Sequence, residues 1–331
     1  MDNINRKGAL VISLDFEMFW GNIESWTKEG YGTSNIKNVP LVVDRLLALF
    51  EKYGVHSTWG TVGFLMHSGK EDLLSDLPVN KPSYINKDLS PYYNSYICNI
   101  EDENLYFAHT KIDKLLKTEG VEVGSHTYCH YYCWEKGQTI DQFEEDTKQF
   151  SEYSNKRGFS IKSIIFPRNQ VTPEYLAVCK KYGMKSYRGN ALKFFEHKAG
   201  LSGFIQRLCR FIDDYFPLSG KNSYSIDDIE NISGLFNIRA SRILRPYSKK
   251  LSFLNGIRLR RLKNEIYTAA KNNEVYHIWW HPHNFGSNME ENLNFLEELL
   301  ICYKQCREKY SMESKTMSEI ANMLESTELN G

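Results

Sequence analysis

Apolar runs of strand length alternate along this chain with longer amphipathic segments. The runs are continuously apolar or rich in β-branched and aromatic residues, which is typical of strands that are buried on both faces. They predict strands over residues 9–14, 55–59, 121–125, 163–166, 184–187 and 275–280. Because predicted helices separate most of these strands, their order indicates a parallel sheet or barrel.

Residues with helical periodicity fill most of the intervals. We predict helices over residues 38–53, 110–119, 141–157, 204–216, 257–270, 290–309 and 314–324, and a further helix between Thr172 and Gly183. Thr172 and Pro173 are typical of the N-cap and first position of a helix. The long irregular stretch over residues 60–104 indicates a functional loop or several short elements.

Length and composition limit the kinds of protein that this chain can be. A length of 331 residues suits one α/β barrel or two domains. A net charge of zero gives no reason to expect a nucleic-acid partner. Seven cysteines without regular spacing indicate free thiols in a reducing compartment. With no apolar signal region and no run long enough to span a membrane, we expect a cytoplasmic protein, with the inner membrane face as a second location.

Polar residues that suit catalysis follow the predicted strands. Asp15 and Glu17 come after the first strand, and His126 and His130 after the strand at 121–125. Arg168 and His281 follow two later strands. The functional residues of a parallel α/β barrel lie at the carboxyl ends of its strands, so these side chains are expected to meet on one face.

Each of these groups also has a simpler explanation. Asp15 and Glu17 can form structural salt bridges, and an isolated pair of histidines four residues apart is more often packed than bound to metal. Two other groupings are conceivable: a second metal set of His277, His281 and His283, and a cysteine–histidine site. The latter would combine His130 with Cys129 and Cys133, but its spacing matches no zinc motif, and buried thiols are the commoner outcome.

Convergence of all the groups favours metal-assisted hydrolysis. Two histidines and a carboxylate can hold a zinc-like ion and leave one position for water. A second carboxylate can accept the proton of that water, and a separate histidine can protonate a leaving group. An arginine can keep the accepting carboxylate ionised and oriented. The chain contains no glycine-rich phosphate loop and no serine elbow.

The motifs resemble those of the polysaccharide deacetylases with a NodB homology domain, carbohydrate esterase family 4. Residues 122–130, EVGSHTYCH, resemble the metal motif of that family, and residues 13–17, SLDFE, resemble its first motif. The usual adjacent aspartates are replaced here by an aspartate and a glutamate that Phe16 separates. Residues 166–170, FPRNQ, stand where the arginine motif falls, and His281-Pro282 resembles the last motif. The likeness extends from about residue 9 to 324 except for residues 189–273.

The resemblance implies a fold and a set of site residues. The fold is a distorted (β/α) barrel in a single catalytic domain over residues 1–331, with a variable, Arg-rich insertion at about 189–273. Asp15 would be the base, His281 the acid and Arg168 the tether of Asp15, while Asn169 would supply a backbone oxyanion donor. The expected metal ligands are His126, His130 and Glu17, and the expected substrate contacts are Trp20, Asn169, Tyr187 and Trp280.

The implied activity is removal of an N-acetyl group from a sugar or polysaccharide precursor, with a divalent metal, Zn²⁺ in first place, as cofactor. An intracellular enzyme would meet a nucleotide-linked, lipid-linked or small soluble substrate. Two alternatives stay open: a hydrolase of another non-peptide amide, and an inactive carbohydrate-binding relative. The arginines over residues 237–261 favour a solvated helix face, with a site for substrate or lipid-carrier phosphate as the alternative.

Overall fold

A single curled sheet forms the centre of the computed structural model, which describes residues 6–24, 26, 28–32, 34–191, 212–213, 215 and 220–330. The strands within these ranges are β1 Ala9–Phe16, β2 Ser57–Thr61, β3 Val121–Ser125, β4 Ser163–Ile164, β5 Ser186–Tyr187, β6 Tyr224–Ser225, β7 Asn231–Ile232, β8 Leu235–Asn237, β9 Arg242–Ile243, β10 Glu274–Trp280 and β11 Glu313–Ser314.

The helices of the described ranges lie mostly between consecutive strands of the sheet. They are α1 Val39–Tyr53, α2 Lys70–Ser75, α3 His109–Lys117, α4 Ile140–Lys156, α5 Pro173–Lys181, α6 Asn255–Lys271, α7 Met289–Tyr310 and α8 Met317–Asn330. Helix α1 buries the stripe that includes Val42, Leu46 and Phe50. It ends at Gly54, whose left-handed φ of 62° suits a residue without a Cβ.

Parallel pairing runs through most of the sheet in the order β10-β1-β2-β3-β4-β5-β8. The short strands β6 and β7 are antiparallel to β10 and β8, respectively. The segment from β8 to β9 closes the sheet on itself, because β8 pairs with β5 and β9 pairs with β10. Backbone N–H groups of Ala240 and Ser241 continue this seam by donating to the carbonyls of Gly189 and His277.

The predicted distorted (β/α) barrel is therefore confirmed. Each predicted strand is present, although β4 and β5 are shorter than predicted. Residues 60–104 contain β2 residues, α2 and several single 3₁₀ turns. The helix predicted over residues 204–216 falls largely outside the described residues. No helix in the described part of the chain combines the length and the apolar character needed to cross a membrane.

The arginines after residue 237 are not all solvated, contrary to the favoured prediction. Arg242 and Arg261 are buried and form ion pairs with Asp213 and Glu265. Arg258 is buried too, where it donates to the Arg245 carbonyl and lies over a phenylalanine ring. Buried guanidinium groups need such partners because an uncompensated charge in the interior is very costly. These three arginines hold the 220–271 region together.

Candidate active site

Asp15 and Glu17, at the carboxyl end of the central strand β1, point to the same side of the sheet. Asp15 and Glu17 are almost fully buried, while Phe16 between them points the other way and packs against Trp59. This arrangement follows from the two-residue period of a strand. Two neighbouring carboxyl groups can be buried only with compensating charges or a bound cation. The side chains around them include both positively charged groups and possible metal ligands.

A tight turn after β3 brings His126 and His130 together. Its backbone is left-handed at Thr127 and His130, with φ of 62° and 61°. The buried carboxylate of Asp146, on α4, accepts hydrogen bonds from the N–H groups of Tyr128 and Cys129 at 2.7 and 3.0 Å. Thr127 accepts a further bond from the N–H of Tyr131. The turn is therefore fixed from several directions.

Glu17 faces both histidines and completes a possible metal site. Its Oε2 lies 3.3 Å from Nε2 of His126 and 3.1 Å from Nε2 of His130. One ligand atom from each of the three residues lies within 4.8 Å of the others. Two imidazoles and a carboxylate are the donor set of many catalytic zinc sites, so the residues fit a divalent ion.

The hydrogen bond on the far side of His126 strengthens this assignment. Nδ1 of His126 lies 2.7 Å from the carbonyl oxygen of Ile165, which requires that Nδ1 carries the proton. Nε2 of the neutral ring then presents a lone pair to an oxygen of Glu17. Because two hydrogen-bond acceptors that face each other need a proton or a cation between them, His126 is oriented as a metal ligand would be.

Electrostatics keep the acid of this trio ionised. Burial raises the pKa of Glu17, but the charge of His281 and the close contacts with His126 and His130 outweigh burial and hold the pKa well below its usual value. Burial lowers the pKa of His130 despite the neighbouring carboxylate. An ionised Glu17 beside a neutral His130 is the protonation state that metal binding requires.

Arg188, rather than Arg168, holds Asp15. The Arg188 guanidinium makes two hydrogen bonds to the Asp15 carboxylate, 2.5 and 2.8 Å long, and both side chains are buried. Burial raises the pKa of Asp15, but Arg188 together with the neighbouring His281 and His126 outweighs burial, so the pKa is lowered. The predicted Arg168 tether is wrong, because this half-exposed side chain pairs instead with Glu24 and Glu135.

His281 completes the group of predicted catalytic side chains. It follows β10 in extended backbone, with φ of −98° and ψ of 132°, as expected before a proline. Its Nε2 lies 3.7 Å from Oδ2 of Asp15 and 3.5 Å from Oε1 of Glu17. The side chain is 24% exposed, so it is near both acids and open to the cleft.

The predicted substrate contacts fit the structure poorly. Trp20, Tyr187 and Trp280 are buried in the hydrophobic core and offer little surface to a ligand. Asn169 is nearer the site, since its Oδ1 accepts from Arg188 at 3.2 Å. Its backbone N–H donates to the carbonyl of Phe166, so it is already engaged and does not suit the predicted oxyanion donor.

Other residues line the cleft beside the acids. The cleft has a volume of about 460 Å³, and its walls include Trp26, Tyr31, Arg245 and His283. Burial and the charge of Glu17 raise the pKa of Tyr31 to about 12, so its hydroxyl stays protonated at neutral pH. Sequence reasoning missed Trp26 and Tyr31 as cleft residues because neither directly follows a predicted strand.

His277, which belonged to the conceivable second metal set, lies behind the site instead. Its Nε2 is 2.8 Å from the hydroxyl of Ser13, and that hydroxyl also receives a bond from Arg188. Burial lowers the pKa of His277 to about 3, so the ring is neutral. Cys129 is likewise buried, and burial raises the pKa of its thiol well above the usual value. Neither residue belongs to the compact metal-binding trio found within the described ranges.

Comparison with known proteins identifies the fold but no close relative. No protein-family model and no curated protein matches the chain. A proposed polysaccharide deacetylase from Mycobacterium smegmatis has a similar structure, with a TM-score of 0.59 and 11% identity over 97% of this chain and 92% of that chain.

Two further solved structures are similar to the chain at low identity. The 4-alpha-glucanotransferase from Thermococcus litoralis has a TM-score of 0.51 and 11% identity, over 96% of this chain and 40% of that one. The chitin deacetylase from the fungal pathogen Colletotrichum lindemuthianum has a TM-score of 0.45 and 13% identity, over 95% and 88% of the two chains. The chain therefore has the distorted (β/α) barrel fold of the Mycobacterium structure.

Proposed function

We propose that this chain is a metal-dependent hydrolase that removes the acetyl group from an N-acetylated sugar. The observation that carries the proposal is the position of Glu17 between His126 and His130, directly beside Asp15 and His281. This arrangement combines a possible ion site with a candidate base and a candidate acid. The altered first motif supports activity rather than its loss, because Glu17 still faces both histidines.

A divalent ion, Zn²⁺ in first place, would be held by Glu17, His126 and His130 and would supply Lewis acidity toward an acetamide carbonyl and a water molecule. Asp15 accepts the proton of the attacking water. Arg188 orients both oxygens of Asp15 and keeps the carboxylate ionised. His281 donates a proton to the departing amine, and the products are acetate and a free amino sugar.

The substrate that we propose is an N-acetylated precursor of a surface polysaccharide, carried on a nucleotide or a lipid and modified in the cytoplasm. Trp26 and Tyr31 in the wall of the cleft support a sugar, because aromatic rings suit the apolar faces of sugar rings. We also propose that the chain is one catalytic domain with an insertion at about 189–273. Pairing of β6 and β9 with β10 supports this arrangement.

Metal analysis and two variants test the mechanism. We expect the purified protein to bind close to one zinc ion and to release acetate from N-acetylated sugars after metal reconstitution. Asp15→Asn and His281→Ala should each lower kcat at least about a hundredfold while zinc still binds. His56→Ala is a matched control, because His56 precedes β2 at the opposite end of the sheet and pairs with Glu319.

The same assay separates the alternatives. Full activity in both Asp15→Asn and His281→Ala would refute the mechanism. Ammonia released without acetate would favour the hydrolysis of another non-peptide amide. Sugar binding without release of either product, in the zinc-loaded protein, would favour an inactive relative.

A further inference from the structure

His283 is a second histidine after the end of β10, and it has no role in the proposed reaction. Its side chain is 4% exposed, and its Nδ1 has no hydrogen-bond partner among the described residues. Nδ1 lies 3.9 Å from Oε1 of Glu17, so it is turned toward the reacting groups. A buried polar atom without a partner is costly, and such an atom in a cleft indicates a bound group that supplies the missing hydrogen bond.

The position of His283 argues against a fourth metal ligand. His126 and His130 contact Oε2 of Glu17, whereas His283 faces Oε1. The group of ligand atoms that lie within 4.8 Å of one another contains Glu17, His126 and His130. His283 therefore stands on the other side of the Glu17 carboxylate, toward the cleft.

The surroundings of His283 are those of a sugar subsite. Its ring stacks on that of His281, with centroids 4.8 Å apart and an angle of 25° between the planes. Trp26 and Tyr31, which stack on each other, meet the His283 ring edge to face at 4.9 and 5.6 Å. All these side chains line the same cleft, and aromatic walls with a few directed polar atoms are typical of ligand sites.

We propose that His283 is a substrate-binding residue whose Nδ1 hydrogen-bonds a hydroxyl group on the sugar carbon next to the acetamido group. The inference rests on the proposed function, in which His281 protonates the amine. Because the His283 ring is stacked directly on His281, its partner is a group adjacent to that nitrogen. In a 2-acetamido glycoside the two neighbouring ring carbons carry the glycosidic oxygen and a hydroxyl group, and the hydroxyl is the one that can both donate and accept a hydrogen bond. The residue thus selects vicinal hydroxy-acetamido sugars over simpler amides.

Three substitutions distinguish the two ring nitrogens. Asparagine places a polar atom near the position of Nδ1, glutamine places one near Nε2, and phenylalanine has neither. The substrates are methyl glycosides of N-acetylglucosamine, N-acetylgalactosamine and N-acetylmannosamine, together with their analogues that lack the hydroxyl next to the acetamido carbon. Acetate release gives KM and kcat, ligand-observed NMR gives sugar binding to zinc-loaded protein, and competition with a chelating dye gives zinc affinity.

His283→Phe and His283→Gln should raise KM about tenfold for the glycoside that the wild type deacetylates best, because each variant loses one hydrogen bond to the sugar. His283→Asn should stay near wild type. For the deoxy analogue, wild type and His283→Phe should have the same KM. Zinc affinity should be unchanged in every variant, and thermal unfolding checks that each is folded.

Equal KM increases for glycoside and deoxy analogue, weakened zinc binding in His283→Phe, or no change in any variant would each overturn the inference. Acetate release that does not depend on His283 leaves the proposed function intact and refutes this role. Sugar binding that depends on His283 without acetate release supports this role and refutes the proposed function. A wild type that neither binds nor deacetylates these glycosides refutes both.

Discussion

Arg188 shows how a single residue can orient a buried acid and help to keep it ionised. It follows β5 directly, and its guanidinium reaches across the barrel end to Asp15 and Ser13. Arg168 follows β4 after a proline, and its backbone is left-handed, with φ of 53°. That turn directs the Arg168 side chain outward to Glu24 and Glu135. Both arginines follow strands, so the strand pattern alone could not choose between them.

A pair of matched substitutions tests this assignment. Arg188→Lys keeps the charge but loses the planar pair of bonds to Asp15, so kcat should fall roughly tenfold or more. Arg168→Ala removes a half-exposed side chain whose partners are Glu24, Glu135 and the Tyr132 ring, and it should leave kcat near wild type. Steady-state kinetics on zinc-loaded protein make the comparison, and a larger kcat loss in Arg168→Ala would reverse the assignment.

His277 gives the stability of the protein a defined pH dependence. Its pKa is lowered to about 3 by burial first and by Arg188 second, so the folded ring stays neutral where the unfolded ring gains a proton. Below the ordinary histidine pKa of about 6.5, stability should therefore fall by up to about 1.4 kcal/mol per pH unit from this group. The contribution is fully present above that pH and is lost as the pH falls toward 3.

Urea unfolding between pH 7 and 5 measures this effect. The stability of His277→Gln should fall less steeply with acidification than that of the wild type. His56 is a control of opposite sign: the hydrogen bond that it donates to Glu319 raises its pKa, so its contribution is present at low pH and is lost as the pH rises. Identical slopes for wild type and His277→Gln would show that His277 does not titrate in this way.

Among the elements, α4 matters because it fixes the turn that carries the histidines. Asp146 caps the N–H groups of two residues that lie between His126 and His130. Asp146→Ala should weaken zinc binding about 10- to 100-fold, the usual cost of losing a group that orients ligands. Asp146→Asn keeps one acceptor oxygen and should be intermediate. The exposed Asp141 of the same helix is the control, and equal zinc affinities for Asp141→Ala and Asp146→Ala would contradict the role.

The strands explain which parts of the site could be predicted. Apolar runs mark where strands end, and parallel order brings those ends together, so Asp15, Glu17 and His281 could be placed from the sequence. Side-chain direction within a strand is less certain, since a shift of one residue exchanges the two faces. Trp279 lies over Arg188, whereas the neighbouring Trp280 is buried among core residues. The sequence pattern does not distinguish these two tryptophans.

At the scale of the whole molecule, buried charges hold the 220–271 region against the barrel. Arg242 bridges Asp213 and Glu265, and Glu265 also accepts a bond from Tyr276 on β10. Arg242→Met should lower the free energy of unfolding by about 3–5 kcal/mol, because it leaves buried carboxylates undercompensated. Urea unfolding measures the loss. The exposed Arg260 provides the control Arg260→Met, and equal stability of the two variants would contradict this view.

The place of β1 in the sheet has a consequence for biosynthesis. This strand comprises residues 9–16, yet its partner on one side is β10, more than 260 positions later, and β11 pairs with its first residues on the other side, where β2 also lies. A nascent chain on the ribosome therefore carries β1 with the backbone N–H and C=O groups of one edge unpaired until β10 emerges. Asp15 and Glu17 also lack their neighbour His281 until that part of the chain has been synthesised. We expect the barrel and its site to be completed only after β10 and His281 have been synthesised.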